Sequence, residues 1–438
     1  MTAKHSASDI LAIGFGTTVA MWAVGYVCRL PPVSAPSELL LVLLVLCLAG
    51  GGFVAGRYSP RGARGGAVAG LLTALLNLMI LGSLLTGTEP NRLVPSAIWW
   101  VPGSFLASAV IGWLGALVGT ALRGSSPIEV NWIGAWTKVL AVATLLLLTI
   151  GGLVTGYGEG LSVVDWPNSF GSNMFLYPLS RMTGGIYYEH AHRLFGSLVG
   201  LTMLTLAVYL QRTEERAWLR RFAWIGLLLV IVQGILGGLR VTGHFTWSTQ
   251  PADTSPSTTL AIIHGTVGQM FFATTVAIAL FTSTIWRQKH APLRRPGAVT
   301  DRALSALLIA LLIVQLVLGA VLRQLSGGVL IHIAMAVIVV LATLNSALRA
   351  WGLHGEQRPL RHVGRTLALL IGLQVVLGLA AYIATGATAD FPSRPAVRAA
   401  VTTVHQATGA LVLVFAVLLL LWNYRLLAVA PERARHSR

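Results

Sequence analysis

Apolar residues run along this chain in long blocks, not in the alternating or three-to-four-residue stripes of a water-soluble fold. Blocks of about 18 residues or more, each enough to cross a hydrocarbon layer of roughly 30 Å as a helix, recur from end to end. The pattern predicts twelve spans, at roughly 10–28, 39–56, 66–86, 97–122, 137–156, 190–211, 222–242, 258–284, 303–323, 330–350, 365–386 and 399–424. In lipid a backbone amide has to find its partner within its own segment or in a closed barrel, so all twelve are expected to be helices. The predicted class is an all-α polytopic membrane protein with twelve transmembrane helices. Its 47 glycines suit helices that approach one another closely in lipid.

Composition agrees. Of 438 residues, 55% are hydrophobic and 10% are charged, against about 25% charged in a soluble chain. That excludes a soluble enzyme, a disordered protein and a collagen-like fibre. The net charge of +17 would suit nucleic acid, but its placement argues otherwise. With the N-terminus inside, 23 of the 31 Lys and Arg fall in inner segments, as cytoplasmic loops require. Both termini are expected to be cytoplasmic, and the partner implied by the charge is the lipid bilayer, with no nucleic acid. Only Lys4 precedes the first apolar block and no cleavage site follows it, so that block is expected to be a retained span. Cys28 and Cys47 read as packed membrane thiols, with no disulfide framework.

A repeat organises most of the chain. His192, His264, His332 and His405 stand near the outer ends of predicted spans, separated by 72, 68 and 73 residues. The first and third differ by 140 residues, the second and fourth by 141. A second marker runs beside them: VQGILGGLR from Gln233, VQLVLGAVLR from Gln315 and LQVVLGLAAY from Gln374. Gln233 to His264 and Gln374 to His405 are both 31 residues. The expected organisation is two pseudo-repeated four-helix bundles, 131–290 and 291–438, behind a separate N-terminal four-span segment, 1–130. Histidines at matched depth on facing helices of a bundle suit axial ligation of a heme iron. For any single histidine, hydrogen-bonded packing is the alternative. Zinc fits less well, because cysteine ligands are missing. His5, His244, His290, His354, His362 and His436 read as surface residues in loops or tails.

The two repeats differ in one acid. Glu189 precedes His192 by three residues, on the same helical face, whereas the stretch before His332, SGGVLIH, has none. An ionisable side chain in a span is costly and by default functional; a helix-terminal cap is the alternative. The reading gives the second unit a fixed heme for electron transfer and the first a heme-like reactant, with Glu189 placed to move protons or stabilise positive charge. The long loop 157–188, rich in aromatics, Gly and Pro, reads as a lid over the first unit or as a plain connection. Arg193, Arg240 and Arg323 lie near the outer interface and suit heme propionates, or snorkelling to the interface.

GLSVVDWP at 160–167, EHAHRLFGSLVG at 189–200, HGTVGQ at 264–269, IHIAMA at 331–336 and VHQATGALV at 404–412 together resemble the heme A synthase family over about 131–428. The resemblance implies an oxidoreductase of the bacterial plasma membrane, with heme sites toward the outer face. It would oxidise a ring methyl of heme O to a formyl group, giving heme A for cytochrome oxidase. It implies heme b, with its iron, between His332 and His405; heme O as substrate between His192 and His264; and Glu189 as the essential acid. Implied partners are an electron donor or acceptor in the membrane, heme O synthase and cytochrome oxidase assembly factors.

The chain departs from the family pattern in three ways. The outer loops carry no cysteine pair, no Arg precedes GLS, and His190 is an extra histidine beside Glu189. Residues 1–130 lie outside the resemblance and are expected to have a structural or docking role. The main rival reading is a diheme b-type cytochrome that exchanges electrons with quinol. A repeat-built transporter is the second, with a binding site expected near the midplane.

Overall fold

A computed structural model describes residues 7–124, 128–386 and 394–429. Lys4, His5, Arg433, Arg435, His436 and Arg438 lie outside the described residues. Every predicted span is a helix: α1 (Ser8–Arg29), α2 (Ser37–Tyr58), α3 (Gly62–Leu85), α4 (Ala97–Ala121), α5 (Trp132–Tyr157), α6 (Gly184–Thr213), α7 (Ala217–Thr242), α8 (Thr258–Thr282), α10 (Ala298–Leu325), α11 (Val329–Leu348), α12 (Arg358–Thr385) and α13 (Pro395–Leu426). A four-residue helix, α9 (Thr284–Arg287), follows α8. Twelve of these helices are long and apolar enough to cross a membrane, and the chain is an integral membrane protein.

The largest boundary difference among the histidine helices is at α6. It begins at Gly184, six residues before the predicted start of the span. Hydropathy ends at the polar Tyr-Tyr-Glu-His run, but the helix does not, because that run is buried against protein: Tyr187, Tyr188, Glu189 and His190 are all buried. At α5, the Asn131 side chain accepts the Gly134 amide at 3.0 Å and caps the helix. Gly158, at φ 77°, ends it in the left-handed conformation that favours glycine.

The described chain forms two compact units. One unit holds the described residues of 1–257 with 281–286; the other holds those of 258–280 with 287–438. The four N-terminal helices share a unit with α5, α6 and α7. The seams among α2, α3 and α4 are built from small residues. Gly52 of α2 and Gly66 of α3 both press on the Gly112 backbone of α4, where any Cβ would collide with its carbonyl. Aromatic contacts join α1 to the next helices. Phe15 stacks on Trp136 of α5 at 5.8 Å, and Trp22 meets Phe195 of α6 edge-on at 5.5 Å. The Tyr187 hydroxyl donates to the Tyr26 carbonyl at 2.6 Å.

The same N-terminal helices hold the long loop. Ser83 of α3 donates to the Phe175 carbonyl at 3.3 Å, and Ser180 donates to the Gly87 carbonyl at 2.9 Å. The Asn91 side chain accepts the Asn173 amide at 2.9 Å. In the second unit, α10, α11, α12 and α13 pack in sequence, and a short parallel pair, β1 (Leu293–Arg295) with β2 (Leu427–Val429), ties α13 to the segment before α10.

Candidate functional site

In the first unit the site is built around Glu189. Its side chain is 6% exposed, and both oxygens are engaged. Oε1 accepts from the Arg193 guanidinium at 2.8 Å, one turn along α6. Oε2 accepts the Val163 backbone amide at 2.9 Å. Arg193, 9% exposed, also donates to the carbonyls of Asp165 at 2.6 Å, Asn168 at 2.9 Å and Val163 at 2.9 Å. The GLSVVDWP stretch thus wraps one buried ion pair with its own backbone. The Asp165 carboxylate shapes the wrap by accepting the amides of Phe170 at 2.7 Å and Gly171 at 2.8 Å. Arg240 of α7 donates to the Gly160 carbonyl at 2.9 Å and holds the start of the stretch.

This arrangement narrows what each group does. A carboxylate has about four lone-pair positions, so Glu189, with one partner on each oxygen, keeps acceptor capacity for a proton or a developing positive charge. Four of the five Arg193 donors are taken by protein. Its main work in this structure is to neutralise Glu189 and fix the loop. No acid occupies the corresponding position before His332.

His190, fully buried, points into the same loop: its Nδ1 lies 3.1 Å from the Ser169 hydroxyl and its ring 5.3 Å from that of Tyr177. Burial raises the Tyr177 phenol above its ordinary pKa, with Arg181 opposing and Asp165 reinforcing the shift. His192 sets the Cε1 edge of its ring against Gly151 of α5, where a Cβ would stand 2.8 Å away. A small cavity of about 90 Å³ adjoins the loop, lined by Trp166, Pro167, Leu239, Thr242, Phe245 and Trp247, with His244 at its wall.

In the second unit the structure brings His332 and His405 within electrostatic reach of each other. Both are half-buried. The Gln315 amide nitrogen of α10 lies 3.3 Å from each His332 ring nitrogen. That of Gln374 on α12 lies 3.4 Å from His405 Nε2. Arg323 donates to Gln406, the neighbour of His405, at 2.6 Å. His264 lies on the part of α8 that groups with this unit.

One histidine departs from the sequence reading. His354 is no surface residue: it is 3% exposed, and its Nε2 meets Asp301 Oδ2 at 2.8 Å. A π-helical turn at Arg349–Leu353 immediately precedes His354. Arg349 binds the other Asp301 oxygen at 2.6 Å. His244 is exposed as read but lines the cavity. The Val163 amide was invisible to sequence reasoning, since a backbone donor has no side-chain signature.

Residues 134–334 match the family model of COX15-CtaA, a cytochrome oxidase assembly protein. The chain is 25% identical over 222 residues to a protein named heme A synthase from Granulibacter bethesdensis, covering 45% of this chain and 57% of that one. It is 26% identical over 226 residues to the heme A synthase of a Bradyrhizobium species, covering 45% and 58%. It is 23% identical over 239 residues to that of Rhodopseudomonas palustris, covering 48% and 61%. The chain thus spans somewhat more than half the length of these relatives. No solved structure matches it. The family match contains Glu189, Arg193, His192, His264 and His332; His405 lies beyond it.

Proposed function

Over residues 134–334 the chain belongs to the heme A synthase family, and from that premise we propose that it oxidises a ring methyl of heme O to the formyl group of heme A. The observation that carries the reading is the Glu189–Arg193 clasp. A buried acid, fixed by its own loop, stands one turn before a half-buried histidine in one repeat and has no counterpart in the other. That asymmetry suits one reacting heme and one resident heme.

Heme O is the substrate in this reading, with His192 and His264 as the ligands that the sequence repeat assigns to it. His332 and His405 hold heme b. Their donor set fits a b-type heme: two neutral-type nitrogen ligands within mutual electrostatic reach, each backed by an amide side chain whose Oε1 is buried and, among the described residues, without a partner. Heme b supplies one-electron redox chemistry when bound. Glu189 stabilises positive charge developing at the substrate carbon, or accepts its proton, through the acceptor positions left by Arg193 and Val163. Arg193 keeps that carboxylate in place. Its expected contact with a propionate competes with four protein acceptors; Arg240 and Arg323, which also donate to protein groups, are the other candidates for that role. The electron partner lies in the membrane. Heme O synthase and cytochrome oxidase assembly factors are the proposed neighbours, the site faces outward, and both termini face the cytoplasm of a bacterium.

The test is pigment analysis of the purified chain, coexpressed with a source of heme O. Heme A beside heme b is expected from the native sequence. Glu189→Ala is expected to keep heme b and yield no heme A. Heme b alone from the native sequence would overturn the reading in favour of a diheme electron-transfer cytochrome.

A further inference from the structure

We propose that Gln315 and Gln374 are positioning residues for the two axial imidazoles of the second unit, holding His332 and His405 in the orientation a permanently bound heme requires. The inference rests on the heme b assignment above.

Each histidine sits in a seat made by the preceding helix. On α10, Gln315 and Gly319 are one turn apart, and the His332 ring lies against both. A Cβ at Gly319 would stand 3.2 Å from Cε1 and 3.7 Å from Nδ1, so only glycine admits the ring edge without displacement. The Gln315 amide nitrogen adds contacts at 3.3 Å to each ring nitrogen and 3.1 Å to the His332 carbonyl. On α12, Gln374 and Gly378 repeat the arrangement for His405. A Cβ at Gly378 would lie 3.1 Å from Cε1, and the amide nitrogen is 3.4 Å from Nε2. Gly409, one turn beyond His405, leaves room for that amide, which a Cβ there would approach to 3.1 Å.

The chemistry explains why a glutamine belongs there. A histidine ligand gives one ring nitrogen to the metal and has the other N–H fixed by an acceptor, which sets tautomer and ring angle. A primary amide carries both a donor and an acceptor. Here the donor end faces the ring, while Oε1 of both glutamines is buried and has no hydrogen-bond partner among the described residues. Half a turn of the amide presents that acceptor to a ring N–H. At His332 the amide meets both nitrogens at one distance, so it can release one to iron and keep the other.

The same spacing recurs in the sequence of the first repeat. Gln233 with Gly237 repeats the pair on α7. On α5 the glycine seat persists at Gly151, but the residue one turn earlier is Leu147, which has no hydrogen-bonding group. The departure falls on the helix that seats His192, the histidine associated with Glu189.

The experiment uses the full chain purified with its hemes: native, Gln315→Met, Gln374→Met, Gln315→Glu, Gln374→Glu and His405→Ala. Heme b per protein, the low-spin absorption spectrum, the midpoint potential and the melting temperature are measured on each. Methionine keeps length and fills the space, so melting of the heme-free protein is expected to stay near native. The methionine variants should bind heme b about 10- to 100-fold more weakly, and the heme they retain should have a shifted potential. The glutamate variants, which keep an acceptor, should recover heme content. His405→Ala should lose the low-spin spectrum. Methionine variants with native heme content, spectrum and potential, alongside a heme-free His405→Ala, would overturn the positioning role and leave the heme b assignment standing. A native protein without heme b would overturn both.

Discussion

Replacing Arg193 by Met tests whether the GLSVVDWP loop is held by a buried charge pair. The substitution removes a guanidinium that donates to Glu189 and to the carbonyls of Val163, Asp165 and Asn168. Four charge-assisted hydrogen bonds cannot simply be added, because the partners regain other interactions when released. The better guide is the cost of breaking a buried ion pair on one side, about 3–5 kcal/mol, since Glu189 is left buried with only the Val163 amide. For a unit of this size that corresponds to a fall in Tm of roughly 6–20 °C. Thermal unfolding in detergent reads the loss, and limited proteolysis across 158–183 reads the loosened loop. The double variant Glu189→Gln/Arg193→Met removes both charges and should recover part of the stability while still making no heme A. A Tm for Arg193→Met within a degree or two of native, with an unchanged cleavage pattern, would show that the clasp does not hold the loop.

Other perturbations probe separate parts of the structure. Gly319→Val or Gly378→Val should fill the imidazole seat and abolish the low-spin heme b spectrum, whereas Gly103→Ala, with open space around it, should leave the spectrum native. Asp301→Asn breaks contacts with Arg349 and His354 and should cost about 3–5 kcal/mol, read by thermal unfolding, without removing heme. Asn91→Ala together with Ser180→Ala should speed protease cleavage within 158–183, because both side chains tie that loop to the α3–α4 turn. The Tyr177 phenol is raised in the folded protein. Its contribution to stability is full below the unfolded value near 10 and fades as pH climbs through the folded value. Tyr177→Phe should flatten that alkaline loss, read as Tm against pH between about 9 and 11.

The spans were legible because lipid leaves the backbone few options, so apolar length alone identifies helices. The histidine register was legible for a similar reason: duplication preserves spacing. What the sequence hid were partners whose identity depends on the third dimension. Glu189 and Arg193 stand four apart, a spacing that pairs side chains on a helix, yet position near an interface equally suggested a propionate contact. Only the loop carbonyls around Arg193 distinguish the two. His354 read as a loop residue because it follows the last apolar turn, but burial there is decided by the Asp301 carboxylate, 53 residues away. The glutamines were visible as a repeated marker, but their proximity to the imidazoles was not. The glycine seats were hidden among 47 glycines.

The N-terminal helices gain a physical role from the loop they hold. They lie outside the matched segment, and the sequence predicts a structural or docking role for residues 1–130. The hydrogen bonds give a structural role its contacts. Ser83, Gly87 and Asn91 fix one side of the 158–183 loop, while Arg193 and Glu189 fix the other through Val163, Asp165 and Asn168. Tyr26 meanwhile receives the hydroxyl of Tyr187, two residues before Glu189 on the same helix. A loop pinned on one side only retains much of its conformational freedom, at about 1–2 kcal/mol for each residue that is not fixed. Pinned from both sides, it delivers a backbone amide to the carboxylate. The N-terminal helices are therefore linked to the acid by hydrogen bonds through the loop and α6.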